Sequence, residues 1–187
     1  LKIKLLRESG YEEALLGLSL NKNQPIENMP KVLDRLSQYD SGHNKALEQI
    51  FLWLDITAPR YWWSEFDTYR TGVSKQSEST MYTITKRNLT KDDFENRDVI
   101  PAVLGELNTL IDEYNSESSE YNKDEIFFSI KRKLPEGFLQ RRVVSINYKS
   151  LRNIIIQRNK HRLPEWEKFI NFIYESVTHK EFLPKKG

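Results

Sequence analysis

Two stretches far apart in the chain carry the residue types that hold a charged, planar ligand. The first runs Gly42-His43, then Ala46-Leu47-Glu48-Gln49, Ala58-Pro59 and Thr68-Tyr69-Arg70. The second supplies Leu134-Pro135, Asn147, Lys149, Asn153 and Arg158. Arginine and lysine give charge-assisted donors to phosphate, and each asparagine amide offers both a donor and an acceptor to a ring edge. A phosphorylated, planar ligand suits that combination. The histidines at 43, 161 and 179 have no metal-ligand spacing, and a chain without cysteine builds neither a thiolate metal site nor a cysteine nucleophile.

The chain that must position these groups has 187 residues, enough for one sizeable core and short for two ordinary domains, so a single domain over 1–187 is expected. With 38% hydrophobic, 12% aromatic and 30% charged residues it falls in the globular range. Its 29 basic and 27 acidic residues nearly cancel, which leaves +2 and no global field for a nucleic acid or an anionic membrane. Any anion site is therefore local. No apolar run reaches membrane length, and Leu1-Lys2-Ile3-Lys4 is too charged for a signal peptide, so a cytoplasmic protein is the expectation.

Alternation over Lys2 to Leu6, ended by Ser9-Gly10, predicts a strand, followed by a helix over Tyr11 to Leu18. Met29, Val32, Leu33 and Leu36 recur at helical spacing, with Pro30 in the first turn and closure near Gln38. Ile50, Leu52, Leu54 and Ile56 share one parity and predict a strand over Glu48 to Thr57, after which Pro59 can open a helix through Arg70. Gly72 to Thr90 is polar and reads as a loop leading into a short extended piece. Helices are expected over Val99 to Tyr114 and Asn122 to Lys133, then a strand over Phe138 to Asn147 running into a helix at Tyr148, and a last helix from Pro164. That mixture predicts an α+β domain with a small mixed or antiparallel sheet flanked by helices.

On these residues the chain resembles the flavin-dependent thymidylate synthase family, which uses FAD in making dTMP from dUMP. Gly42 to Gln49 resembles the family's Gly-His…Glu-His element, and Ala58-Pro59 and Arg70 fall where the family has Ala-Pro and the last arginine of its Arg-His-Arg signature. Ser74, Ser79 and Tyr82 resemble the tail of that signature, and Asn147-Tyr148-Lys149-Ser150-Leu151 resembles its Asn-x-Arg-Ser-Leu element, with Asn153 and Arg158 following at the family's intervals. The likeness covers roughly residues 40 to 85 and 128 to 172.

The resemblance implies that Arg70, Asn147, Lys149 and Asn153 contact FAD. It implies that Glu65, Ser79, Tyr82, Lys131 and Arg158 meet a pyrimidine deoxynucleotide monophosphate, with Arg158 and Ser79 nearest the chemistry. The activity implied is C5 methyl or hydroxymethyl transfer to dUMP or dCMP, with NADPH and methylenetetrahydrofolate as co-reactants and a homotetramer as the assembly. The departures are local. Thr68-Tyr69 stands for Arg-His, Met81 for an arginine, Gln49 for a histidine, Ser64 for an arginine, Glu65 for a glutamine and Lys131 for an arginine. They keep open a second reading, a nucleotide- or flavin-binding homologue without catalysis. An ionised Glu65 only accepts hydrogen bonds, which favours an amino-bearing cytosine over uracil; the alternative is a solvated carboxylate. Asn147 and Asn153 equally suit helix caps, and Lys131-Arg132-Lys133 equally suits a solvated run.

Overall fold

The computed structural model describes residues 1–39 and 42–185. Its elements, in order, begin with β1 (Lys2–Ser9), α1 (Tyr11–Lys22), α2 (Met29–Ser37), β2 (Phe51–Pro59) and α3 (Arg60–Phe66). They continue with β3 (Val73–Ser77), α4 (Thr80–Thr83), α5 (Pro101–Ser116), α6 (Glu120–Lys133), β4 (Leu139–Asn147), α7 (Tyr148–Arg158) and α8 (Pro164–Ser176). The strands form one antiparallel sheet in the order β1-β2-β4-β3, so the architecture is α+β as expected. Among the described residues no helix is long and apolar enough to cross a membrane.

The chain divides into two compact units. One comprises Leu1–Ile56, Phe66–Gln76 and Arg142–Gly187, and the other Thr57–Glu65 and Ser77–Arg141.

In the first unit the even positions of β2, Leu52, Leu54 and Ile56, are fully buried while the odd positions are half-buried, which is the period-2 pattern of a strand with one face in a core. Phe66, Trp166 and Phe169 stack and cross at centroid distances of about 6 Å, and Tyr148 meets Phe182 edge to face at 5.8 Å. Gly10 turns β1 into α1 at φ 102°; a Cβ there would stand 2.0 Å from the Gln49 carbonyl oxygen, so only glycine fits. The second unit has its own core, in which Leu107 and Ile111 of α5, Phe127 and Ile130 of α6, and Phe94 and Phe138 close on one another. An isolated antiparallel bridge joins Phe94 to Phe138.

Two expectations are corrected. The helix after Pro59 stops at Phe66 rather than Arg70, because Tyr69 N–H closes a turn on Phe66 C=O at 3.0 Å and the Asp67 carboxylate is drawn to Lys75 and Arg142. In the polar stretch after Gly72 the extended piece comes first, as β3, and a short helix follows. β3 lies at the sheet's edge, where only Val73 and Lys75 are half-buried, so Val-Ser-Lys-Gln-Ser needs no apolar alternation.

Candidate functional site

In the first unit, the turn from β4 into α7 is set by backbone bonds on both sides. Asn147 N–H donates to Gly72 C=O at 3.0 Å, and Tyr148 N–H donates to Ile50 C=O at 2.9 Å. Asn147 is the N-cap of α7, its Oδ1 accepting from Ser150 N–H at 2.9 Å, while Ser150 Oγ donates to Thr71 C=O at 2.6 Å. Gly72 sits at φ 64° with no room for a side chain, since a Cβ would come within 2.3 Å of Asn147 Nδ2. Backbone therefore approaches helix start closely here, and beside this junction opens a cleft of about 700 Å³.

Arg70, Asn147, Lys149 and Asn153 all line this cleft, together with Asn44, Glu48, Tyr69 and Gln157. Arg70 is exposed, and Lys149 is held by Glu48 at 2.6 Å with both side chains partly exposed. The family resemblance implied Arg70 and the α7 residues. It did not pair Glu48 with Lys149, which lie 101 positions apart in the chain. Asn44 was missed as well, and its buried Oδ1 has no hydrogen-bond partner among the described residues.

Arg158 is not among the cleft-lining residues. Its guanidinium lies over the Trp166 ring at 4.8 Å and the Tyr69 ring at 5.4 Å, its Nε donates to Tyr69 Oη at 2.8 Å, and Nη1 meets His161 Nε2 at 3.0 Å. Tyr69, which reads in sequence as a lost imidazole, is thus the buried partner that anchors this arginine.

In the second unit Lys131 Nζ donates to Thr80 Oγ1, next to Ser79, which caps α4 by accepting from Met81 N–H at 3.3 Å. Burial, aided by the charge of Arg60, pushes the Lys131 ammonium below its usual range. Arg60 itself is turned to Leu134 C=O at 2.9 Å and to Glu136 at 3.2 Å. An anion beside Lys131 would restore the protonated form, so this lysine can serve a phosphate as a point charge. Tyr82 is 77% exposed, and Glu65 is half-buried on α3. A smaller cleft in this unit, of about 420 Å³, has Arg87 and Asp93 in its wall, and they neutralise each other through contacts of 2.8 and 2.5 Å. Among the described residues no group of three His, Asp or Glu side chains could hold a metal ion.

Residues 5–180 match the family model described as thymidylate synthase complementing protein. The structure is similar to thymidylate synthase X from Helicobacter pylori, solved with FAD and dUMP, with a TM-score of 0.72 and 16% identity over 98% of this chain and 97% of that one. A second structure, the flavin-dependent thymidylate synthase of the same organism complexed with FAD and dUMP, gives a TM-score of 0.70 and 15% identity over 98% of each chain. At such identity the likeness is one of fold. No curated protein matches the chain.

Proposed function

This chain belongs to the thymidylate synthase complementing protein family, and we propose that it is an FAD-dependent enzyme transferring a one-carbon unit to C5 of a pyrimidine deoxynucleotide, dUMP or dCMP. The observation that carries the reading is the cleft of the first unit, in which two cations, Arg70 and Lys149, and two amides, Asn147 and Asn153, face one space of about 700 Å³. Those donors fit a flavin nucleotide. Cations meet its pyrophosphate and amides meet its polar ring edge.

FAD, when bound, supplies the hydride chemistry. The chain's own residues bind and orient. In the first unit Asn147 and Asn153 hold the ring edge while Arg70 and Lys149 hold phosphate, and Arg158, stacked on Trp166, is assigned to the nucleotide. In the second unit Lys131 is assigned to the substrate phosphate, with Ser79, Tyr82 and Glu65 as further substrate contacts. Ser79 in the second unit and Arg158 in the first are each assigned a catalytic role. NADPH as reductant, methylenetetrahydrofolate as carbon donor, a homotetrameric assembly and a cytoplasmic location complete the proposal.

The test is spectroscopic and kinetic. Purified protein incubated with FAD should retain a yellow chromophore that NADPH bleaches. Oxidation of the bleached form should then follow addition of dUMP or dCMP with methylenetetrahydrofolate. Retention of flavin without turnover of either nucleotide would sink the enzymatic part, and a preference for dUMP would sink the cytosine role of Glu65.

A further inference from the structure

Along the cleft of the first unit runs a chain of hydrogen bonds whose direction is set at one end. Arginine can only donate, and Arg158 Nε donates to Tyr69 Oη at 2.8 Å. The phenol has a single proton, and Tyr69 spends it on Gln157 Oε1 at 3.1 Å. With its oxygen taken, Gln157 turns its amide nitrogen toward Asn153 and donates to Oδ1 at 3.0 Å. That bond turns Asn153 Oδ1 toward Gln157. What remains is Nδ2, a donor with no hydrogen-bond partner among the described residues, on a side chain that lines the cleft.

We infer that Tyr69 is a positioning residue. It carries the polarity imposed by Arg158 through Gln157, so that Asn153 offers N–H groups rather than a carbonyl to the cleft, and the ligand atom received there is an acceptor, a carbonyl or phosphate oxygen. Without the phenol O–H, nothing distinguishes the two ends of the Gln157 amide. That amide can invert, Asn153 inverts with it, and the cleft meets the ligand with an oxygen half the time. Tyr69 is 8% exposed and ringed by Phe66 and Trp166, so its hydroxyl is held where water cannot easily substitute. The identity of the ligand rests on the flavin reading above; the polarity does not.

Two measurements on the full chain test this. Both side chains are exposed, so in ligand-free protein side-chain amide NMR should show the Gln157 NH2 exchanging more slowly than the Asn153 NH2, with that difference lost in Tyr69→Phe. Protection of the Asn153 NH2 instead would overturn the inference. In a double-mutant cycle, Tyr69→Phe should weaken FAD binding about fivefold in the wild-type background and less than about twofold in Asn153→Ala, as expected for one neutral hydrogen bond acting through a shared partner. Equal losses in both backgrounds would mean that Tyr69 acts by another route, through Arg158 for instance, and would overturn it. A wild-type protein that binds no FAD refutes the flavin reading, and the amide protection pattern then decides the polarity by itself.

Discussion

Gly72→Ala is the sharpest perturbation of the cleft's frame. At φ 64° any side chain is strained, by about 1–2 kcal/mol for an L-residue. The new Cβ would stand 2.3 Å from Asn147 Nδ2 and 2.6 Å from Ser150 Oγ, distances at which something must move. If Asn147 swings away, α7 loses its cap, worth about 1 kcal/mol, and if Ser150 follows, its bond to Thr71 C=O goes too, for about 1 kcal/mol more. The total is about 3–4 kcal/mol, which for a chain of this size lowers Tm by roughly 10 °C. Asn147→Ala alone removes the cap and should cost about 1 kcal/mol, roughly 3 °C. Because the two substitutions destroy the same cap, the double variant should fall by less than their sum. Thermal unfolding followed by circular dichroism reads all three. A Gly72→Ala protein melting within about 2 °C of wild type, or losses that simply add, would refute the reasoning that the glycine exists to let Asn147 and Ser150 close on it.

Asp67 bears on acid stability. Burial works against its charge, but the hydrogen bonds from Lys75 and Arg142 outweigh this and hold the carboxyl below its usual range. The folded state thus binds fewer protons than the unfolded one, so the stabilisation is present above the unfolded value near about pH 4 and is lost as pH falls through the folded one. Asp67→Asn should flatten the loss of Tm in that acid window, and an unchanged slope would count against the pairing. Lys131, with its ammonium disfavoured by burial, should make dUMP affinity fall as pH rises through its lowered value. Lys131→Arg, whose guanidinium stays charged, should remove that dependence in a calorimetric pH series. In the second unit, Ile130→Ala empties a fully buried position and should cost about 2–5 kcal/mol by chemical denaturation; a cost below about 1 kcal/mol would mean that its core collapses on the void.

Much of the fold was legible in the sequence where local signals agreed. The strand ending at Asn147 and the helix starting at Tyr148 were visible because apolar Val144 and Ile146 alternate, and an asparagine then supplies the cap. α5 and α6 followed from period and composition alone. β3 was out of order because an edge strand with two half-buried positions leaves almost no pattern, and the end of α3 depended on a carboxylate meeting Lys75 and Arg142, the latter 75 positions away. The site divides in the same way. Arg70, Asn147, Lys149 and Asn153 could be picked out through the motifs that carry the family resemblance, and the fold brings them to one cleft. What escaped was pairwise and long-range: Glu48 with Lys149, and Tyr69 between Arg158 and Gln157, links that join separate segments and leave no local trace. The substitution of Met81 for a cation is not explained by anything in the structure, where its side chain is 56% exposed.

A titration of FAD fluorescence against wild-type protein and Arg70→Met tests the central claim most directly. Saturable quenching in the wild type, weakened about tenfold or more in the variant by loss of a charge-assisted contact, is the expected result. Absence of quenching, or equal affinity in both proteins, would contradict the assignment of this cleft to a flavin nucleotide.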